Sequence, residues 1–178
     1  KFNYINNSKI KICSQCIYDE RVPAISFDEN GVCNYCKQVD DLSAQYGTGK
    51  TKGLIEIERI VAEIKKNGVG KKYDCIVGVS GGTDSSYLLW MAKEWGLRPL
   101  AAHYDNTWNS AIATTNIAKI VNALGVDLYT HVVANKESDD IFKSFFLAGV
   151  AEIEAATDLG YACMLRATAK RFSINYIL

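Results

Sequence analysis

The chain has 178 residues, 22% charged and 48% hydrophobic, with 20 basic and 20 acidic side chains and a formal net charge of zero. That size and balance suit one globular domain with a small appendage, and exclude a chain that grips nucleic acid through a broad basic surface. No apolar run approaches the roughly 18 residues that span a bilayer, and the opening "KFNYINNSKIKIC" lacks the apolar stretch of a signal peptide, so a cytoplasmic location is expected.

Three regions separate by composition. Residues 1–40 carry Cys, Asn and Asp with little periodicity and are expected to form a cysteine-based segment without a core of its own. Residues 41–71 begin with the link "YGTGKTKG" and continue as a connecting helix, where Leu54, Ile57, Ile60, Val61 and Ile64 recur at helical spacing and Gly68 is a stop. From residue 72 the pattern alternates: strand "YDCIVGV", helix "DSSYLLWMAKEWG", strand "RPLAAHY", helix "SAIATTNIAKIVNALG", strand "VDLYTHVV". It continues with helix "SDDIFKSFFLAGV", capped by Ser138, helix "DLGYACMLRATAKRF", and the start of a fourth strand, "INYIL". This alternation predicts an α/β fold with a doubly wound parallel sheet, whose ligands bind at the carboxyl ends of the strands. Ending on a strand, the domain is expected to be incomplete.

Four of the six cysteines fall as C-x2-C, sixteen residues, C-x2-C: Cys13, Cys16, Cys33 and Cys36. Four thiolates at this spacing close a tetrahedral shell around one zinc ion and leave no position for water, which predicts a structural site. Iron in an S4 site, two redox pairs or free thiols are the alternatives. Cys75 and Cys163 sit in apolar surroundings and are expected to be small core residues.

Two glycine-bearing stretches compete as phosphate loops. "AQYGTGKT", residues 44–51, nearly matches the Walker pattern but follows the polar "QVDDLS" instead of a buried strand, so Lys50 and Lys52 read as a solvated linker. "SGGTDSS" follows a strand and opens a helix, so free amides and the positive helix end converge there. Gly81 and Gly82 permit close backbone approach, and Ser80, Ser85 and Ser86 add hydroxyls. The expected ligand is a pyrophosphate. Asp84 either holds a magnesium ion that reverses its repulsion from phosphate, or caps the helix.

Ser80, Gly81, Gly82, Asp84 and Ser85, with Thr83 at the variable position, resemble the signature of the PP-loop ATP pyrophosphatases of the adenine nucleotide alpha-hydrolase group. That resemblance implies binding of ATP and Mg2+ through Ser80–Ser86, and adenosine binding by Asp105 and Asn106 after the second strand. His103, just before them, reads as a packed core histidine.

The combination of "CSQC", "FDENGVCNYC", "VSGGTDSS" and "HYDNTWNS" is similar to the bacterial N-acetyl sugar amidotransferases of O-antigen and surface-glycan biosynthesis. This implies conversion of an N-acetyl group on a nucleotide-linked sugar to an acetamidino group, with separate glutaminase and ammonia-channelling subunits as partners. Glu152, Glu154, Thr157 and Asp158 are then candidates for contacts to sugar or metal, Asp158 also for catalysis, with helix capping by Thr157 or Asp158 as the alternative. Arg166 faces either phosphate or solvent. Alternative functions are a tRNA sulfurtransferase and a non-catalytic nucleotide-binding subunit.

Overall fold

The computed structural model describes residues 10–178, so most of the opening stretch "KFNYINNSKIKIC" lies outside the described residues. The chain divides into two compact units, one ending at Glu58 and one running Arg59–Leu178.

In the first unit the chain forms two isolated antiparallel bridges, Ile12 with Asp19 and Phe27 with Cys33, and then helix α1, Asn34–Tyr46. Cys33 is its N-cap, and the Cys33 Sγ accepts from the Cys36 amide at 3.4 Å. Gly47, at φ +67°, ends it in the left-handed conformation that glycine adopts without a Cβ penalty. This helix was not expected from the sequence. It buries only Cys36, while Val39, Leu42 and Tyr46 are exposed, so no buried apolar stripe marks it. Helix α2, Thr51–Asn67, follows after four residues. The Walker-like stretch is therefore a helix-to-helix connection without a preceding strand. Lys52 is not a free linker lysine: its Nζ donates to the carbonyls of Ala44 and Gln45, capping the end of α1.

The second unit contains, in order, β1 (Cys75–Gly78), α3 (Thr83–Glu94), β2 (Pro99–Asp105), α4 (Ala111–Leu124), β3 (Leu128–Val132), α5 (Asn135–Ala148) and α6 (Ala155–Phe172). The sheet is parallel with order β1-β2-β3, and its register pairs Ile76 with Leu100 and Ala102 with Tyr129. On the free side of β1, the Ile76 amide donates to Tyr176 and its carbonyl accepts from Leu178, a parallel bridge that places the expected fourth strand as a single pairing. Connections thus leave β1 to both sides, and its carboxyl end is a switch point of the kind where open α/β sheets bind ligands.

Alternation along the strands gives each face its own layer. Ile76, Leu100 and Ala102 pack with Met164 and Leu165 of α6 and with Ile174. The alternate residues Cys75, Val77 and Ala101, also fully buried, face the opposite side, where α3 packs on β1 and β2 and buries Leu89 and Ala92. Full burial of each large aliphatic side chain contributes about 1.5–3 kcal/mol. The fold is therefore α/β, with helices on both faces of a parallel sheet.

Gly68 marks the end of α2 for a reason that the helix pattern alone does not give. A Cβ there would overlap the Asp74 carboxylate. Asp74 is buried and receives the Arg98 backbone amide at 2.8 Å and the Arg98 guanidinium at 2.6 and 3.0 Å. Burial opposes the charge, but the Arg98 donors outweigh it and hold the carboxyl below the usual range. This pair ties the entry of β1 to the entry of β2.

Candidate active site and metal centre

The glycine loop lies where β1 becomes α3. Val79 is held by its amide on Ala102, and the buried His103 bonds to its carbonyl through Nδ1 at 2.9 Å. A carbonyl only accepts, so Nδ1 carries the proton and Nε2 is the acceptor facing Asn109 Nδ2 at 3.4 Å. His103 is packed, as expected, but it also joins the base of the loop to the segment after β2.

Within the loop, Ser85 Oγ accepts from the Ser80 amide at 3.1 Å and lies 3.2 Å from Ser80 Oγ. Ser86 Oγ donates to the Gly82 carbonyl at 2.8 Å. Gly82 is the N-cap of α3 and no side chain caps it, so the first-turn amides are left for another acceptor. Asp84 therefore does not cap the helix; it stands exposed in the first turn, and no hydrogen bond or ion pair engages it among the described residues. A hard carboxylate beside hydroxyls and free amides suits a hydrated magnesium ion.

Gly81 has φ +79°, and a Cβ there would overlap the Ala113 carbonyl oxygen in the first turn of α4. Asn116 Nδ2 donates to the Gly81 carbonyl at 3.1 Å. The loop is thus clamped against α4, and Asn116 is a residue that sequence reasoning missed. Its signal, an Asn one turn inside a neighbouring helix, is legible only once α4 is placed.

The segment after β2 is shaped by Asp105, whose Oδ1 accepts from the Thr107 amide at 2.8 Å and from Asn109 Nδ2 at 2.9 Å, with Thr107 at φ +71°. Asn106 is held from two helices. Its carbonyl accepts from Ser138 Oγ at 3.0 Å, and its Nδ2 donates to Thr157 Oγ1 at 3.4 Å. This corrects two expectations. Ser138 does not cap α5, which starts at Asn135 with no side-chain cap; its hydroxyl reaches across to Asn106 instead. Thr157 and Asp158 do not cap α6 either, because that helix starts at Ala155 with Glu154 as N-cap and they lie in its first turn.

Two tyrosines seat α6 over the strand ends. A Cβ at Gly78 would overlap the Tyr161 hydroxyl, and one at Gly160 would overlap the Tyr104 hydroxyl. The result is a cleft of about 480 Å³ in which Ser80, His103, Asn106 and Asn109 face Glu154, Thr157, Asp158 and Tyr161. A narrower pocket continues past Trp108, which stacks on Phe142 with centroids 5.0 Å apart. Burial raises the Tyr161 hydroxyl above its ordinary range, so it stays a proton donor near neutral pH. Glu152 is not in the cleft wall; its Oε1 accepts from the Glu154 amide. Arg166 is exposed, and Cys163, expected in the core, is exposed on α6 because the turn of helix that buries Met164 and Leu165 turns it outward. Cys75 is buried, and desolvation pushes its thiol up to about 12.

In the first unit, the Sγ atoms of Cys13, Cys16, Cys33 and Cys36 lie within 4.8 Å of one another. Cys13 and Cys36 are 3.9 Å apart and Cys16 and Cys33 3.8 Å. Bonds of about 2.3 Å to one tetrahedral ion put neighbouring sulfurs about 3.8 Å apart, so the donor set fits a metal with four thiolates. Burial opposes ionisation of Cys13, but backbone donors from Gln15, Cys33 and Cys16 outweigh it and lower the thiol to about 6.

No family model matches the chain. It is similar to an uncharacterized protein of Methanocaldococcus jannaschii, 27% identical over 168 residues, covering 93% of this chain and 57% of that protein. Among solved structures, it is similar to an NMN synthetase from Francisella tularensis, at TM-score 0.48 and 16% identity, over 68% of this chain and 52% of that one. A glutamine-dependent NAD+ synthetase from Acinetobacter baumannii in complex with ADP matches at TM-score 0.49 and 20% identity, over 70% and 24% of the respective chains. The chain spans less than two thirds of each of these proteins.

Proposed function

We propose that the chain belongs to the PP-loop ATP pyrophosphatases and acts as an ATP-dependent amidotransferase on an N-acetyl group of a nucleotide-linked sugar. The observation that carries the ATP-cleaving reading is the uncapped, glycine-bearing start of α3 at the sheet's switch point, beside an unengaged Asp84. Ser80, Gly81, Gly82, Thr83, Ser85 and Ser86 hold the departing pyrophosphate, Asp84 holds the magnesium that neutralises it, and Asp105 and Asn106 position the adenosine. The sugar reading rests on the motif combination, and the cleft is compatible with it, since aromatic and carboxamide side chains meet the carboxylates of Glu154 and Asp158 there.

An amide oxygen is a poor leaving group. In the proposed reaction it attacks the α phosphorus, the α–β bridge breaks, and pyrophosphate departs. Ammonia adds to the imidate carbon, a proton is lost, and AMP leaves carrying the former amide oxygen. Asp158, exposed at the cleft wall, is the proposed acceptor of that proton. Separate glutaminase and ammonia-channelling subunits are the proposed partners in surface-glycan synthesis. The four cysteines are proposed to hold structural zinc, and residues 1–40, 41–71 and 72–178 to act as metal segment, connector and ATP-binding domain.

Mass spectrometry of full-length protein with ATP, magnesium, 15N-ammonia and a panel of nucleotide sugars tests this. Transfer of 15N into an N-acetylated sugar is expected. Unlabelled sugars together with thiolation of tRNA would assign the alternative chemistry.

A further inference from the structure

The loop has an unmet charge requirement. Residues 80–86 contain no cationic side chain, and Asp84 offsets part of the charge of the magnesium proposed there, so a polyanion at the loop keeps net negative charge. Helix amides provide partial charge only. The cleft on one side of the loop contains no Lys or Arg in its wall. A shallower hollow of about 390 Å³ on the other side is bordered by Gly81, Gly82, Thr83 and Ser86, and its one charged residue is Lys119.

Lys119 is also the only charged residue of α4, "AIATTNIAKIVNAL". No acid within reach on its own helix competes for the ammonium, and no hydrogen bond or ion pair engages it among the described residues. Its place relative to the loop is fixed. Asn116, three residues earlier and so on the same face of α4, is bonded to the Gly81 carbonyl, and Ala113, three residues earlier again, packs against Gly81 itself. Lys119 lines the same hollow as Gly82 and Thr83, and its flexible four-carbon stem lets the charge move within that hollow.

We infer that Lys119 is the cationic side chain that, beside the magnesium at Asp84, offsets the charge left on the β and γ phosphates at this loop. The assignment rests on the pyrophosphate reading above. It is a binding role in trans to the loop: the charge comes from the neighbouring helix, which Asn116 locks in register.

Calorimetric titration of the wild-type chain, Lys119→Ala and Lys119→Arg with magnesium pyrophosphate, magnesium ATP and AMP separates the two levels. Lys119→Ala is expected to weaken pyrophosphate and ATP about tenfold and flatten their salt dependence, while AMP is unchanged and Lys119→Arg retains most of the affinity. Lys119 is exposed, and an unchanged thermal midpoint confirms that the variants fold. Wild-type binding of pyrophosphate with equal binding by Lys119→Ala overturns the assignment and leaves the loop reading intact. No pyrophosphate or ATP binding by the wild-type chain overturns the loop reading, and the assignment with it.

Discussion

Replacing Gly81 by alanine is the sharpest perturbation of the loop. The residue has φ +79°, where an L side chain costs about 1–2 kcal/mol. Its new Cβ would overlap the Ala113 carbonyl oxygen and lie 2.7 Å from the Ala113 carbon and Cα, whereas real Cβ contacts stay beyond 3.0 Å. Those atoms are helix backbone and cannot rotate away, so the loop or α4 must shift. Strain and overlap together give a loss of about 3 kcal/mol, which for a chain of this size lowers the melting temperature by about 6–12 °C. Two controls separate the contributions. Gly125→Ala has φ +60° but nothing within 4 Å of the Cβ, so only the conformational cost of about 1 kcal/mol applies. Gly82→Ala has φ −83° and meets only Ser80 Oγ at 3.4 Å, so it is expected to leave stability within about 0.5 kcal/mol of wild type. Thermal unfolding followed by circular dichroism, paired with pyrophosphate titration, reads both consequences. A Gly81→Ala chain as stable as Gly125→Ala would refute the packing of the loop against α4.

Asp74→Asn is expected to cost about 2 kcal/mol near neutral pH, since it removes the buried charge facing Arg98. Because the folded carboxyl is held below its ordinary range, that stability is present above about pH 4 and is lost as pH falls through the lowered value. Denaturant unfolding from pH 6 to pH 2 should therefore show wild type and variant converging in acid; a constant gap contradicts the pairing. Metal analysis should find one zinc per chain, and chelation should unfold the first unit, whose buried apolar cluster consists of Cys13, Cys33 and Cys36. An intact proton-NMR fingerprint of that unit after chelation would remove the structural role. Alkylation of the native chain should label Cys163 and spare Cys75, and Cys163→Ser should retain turnover, an outcome opposite to that required by sulfur transfer through this thiol.

The α/β order and the loop were legible because each has a local cause. Buried strands such as "CIVG" are short apolar runs, and a Gly-Gly turn between strand and helix leaves amides free whatever surrounds it. Ser110 and Gly125 mark the ends of α4 for equally local reasons, a hydroxyl on the Ala113 amide and a left-handed residue. What stayed illegible depends on contacts across the fold. Ser138 looks like a cap in sequence but bonds to Asn106, and Thr157 meets Asn106 from another helix. Gly78 and Gly160 give no turn signal; they are glycines because Tyr161 and Tyr104 occupy the space of a side chain. Cys163 shows how a short apolar neighbourhood misleads, since an amphipathic helix turns one of every few such residues outward.

The central claim is that the loop from Ser80 to Ser86 supports cleavage of ATP between its α and β phosphates. Phosphorus NMR of products from ATP, magnesium, ammonia and an N-acetylated nucleotide sugar tests it most directly. AMP and pyrophosphate in equal amounts, abolished by Asp84→Asn, are predicted; ADP and inorganic phosphate, or AMP formation unaffected by Asp84→Asn, would contradict it.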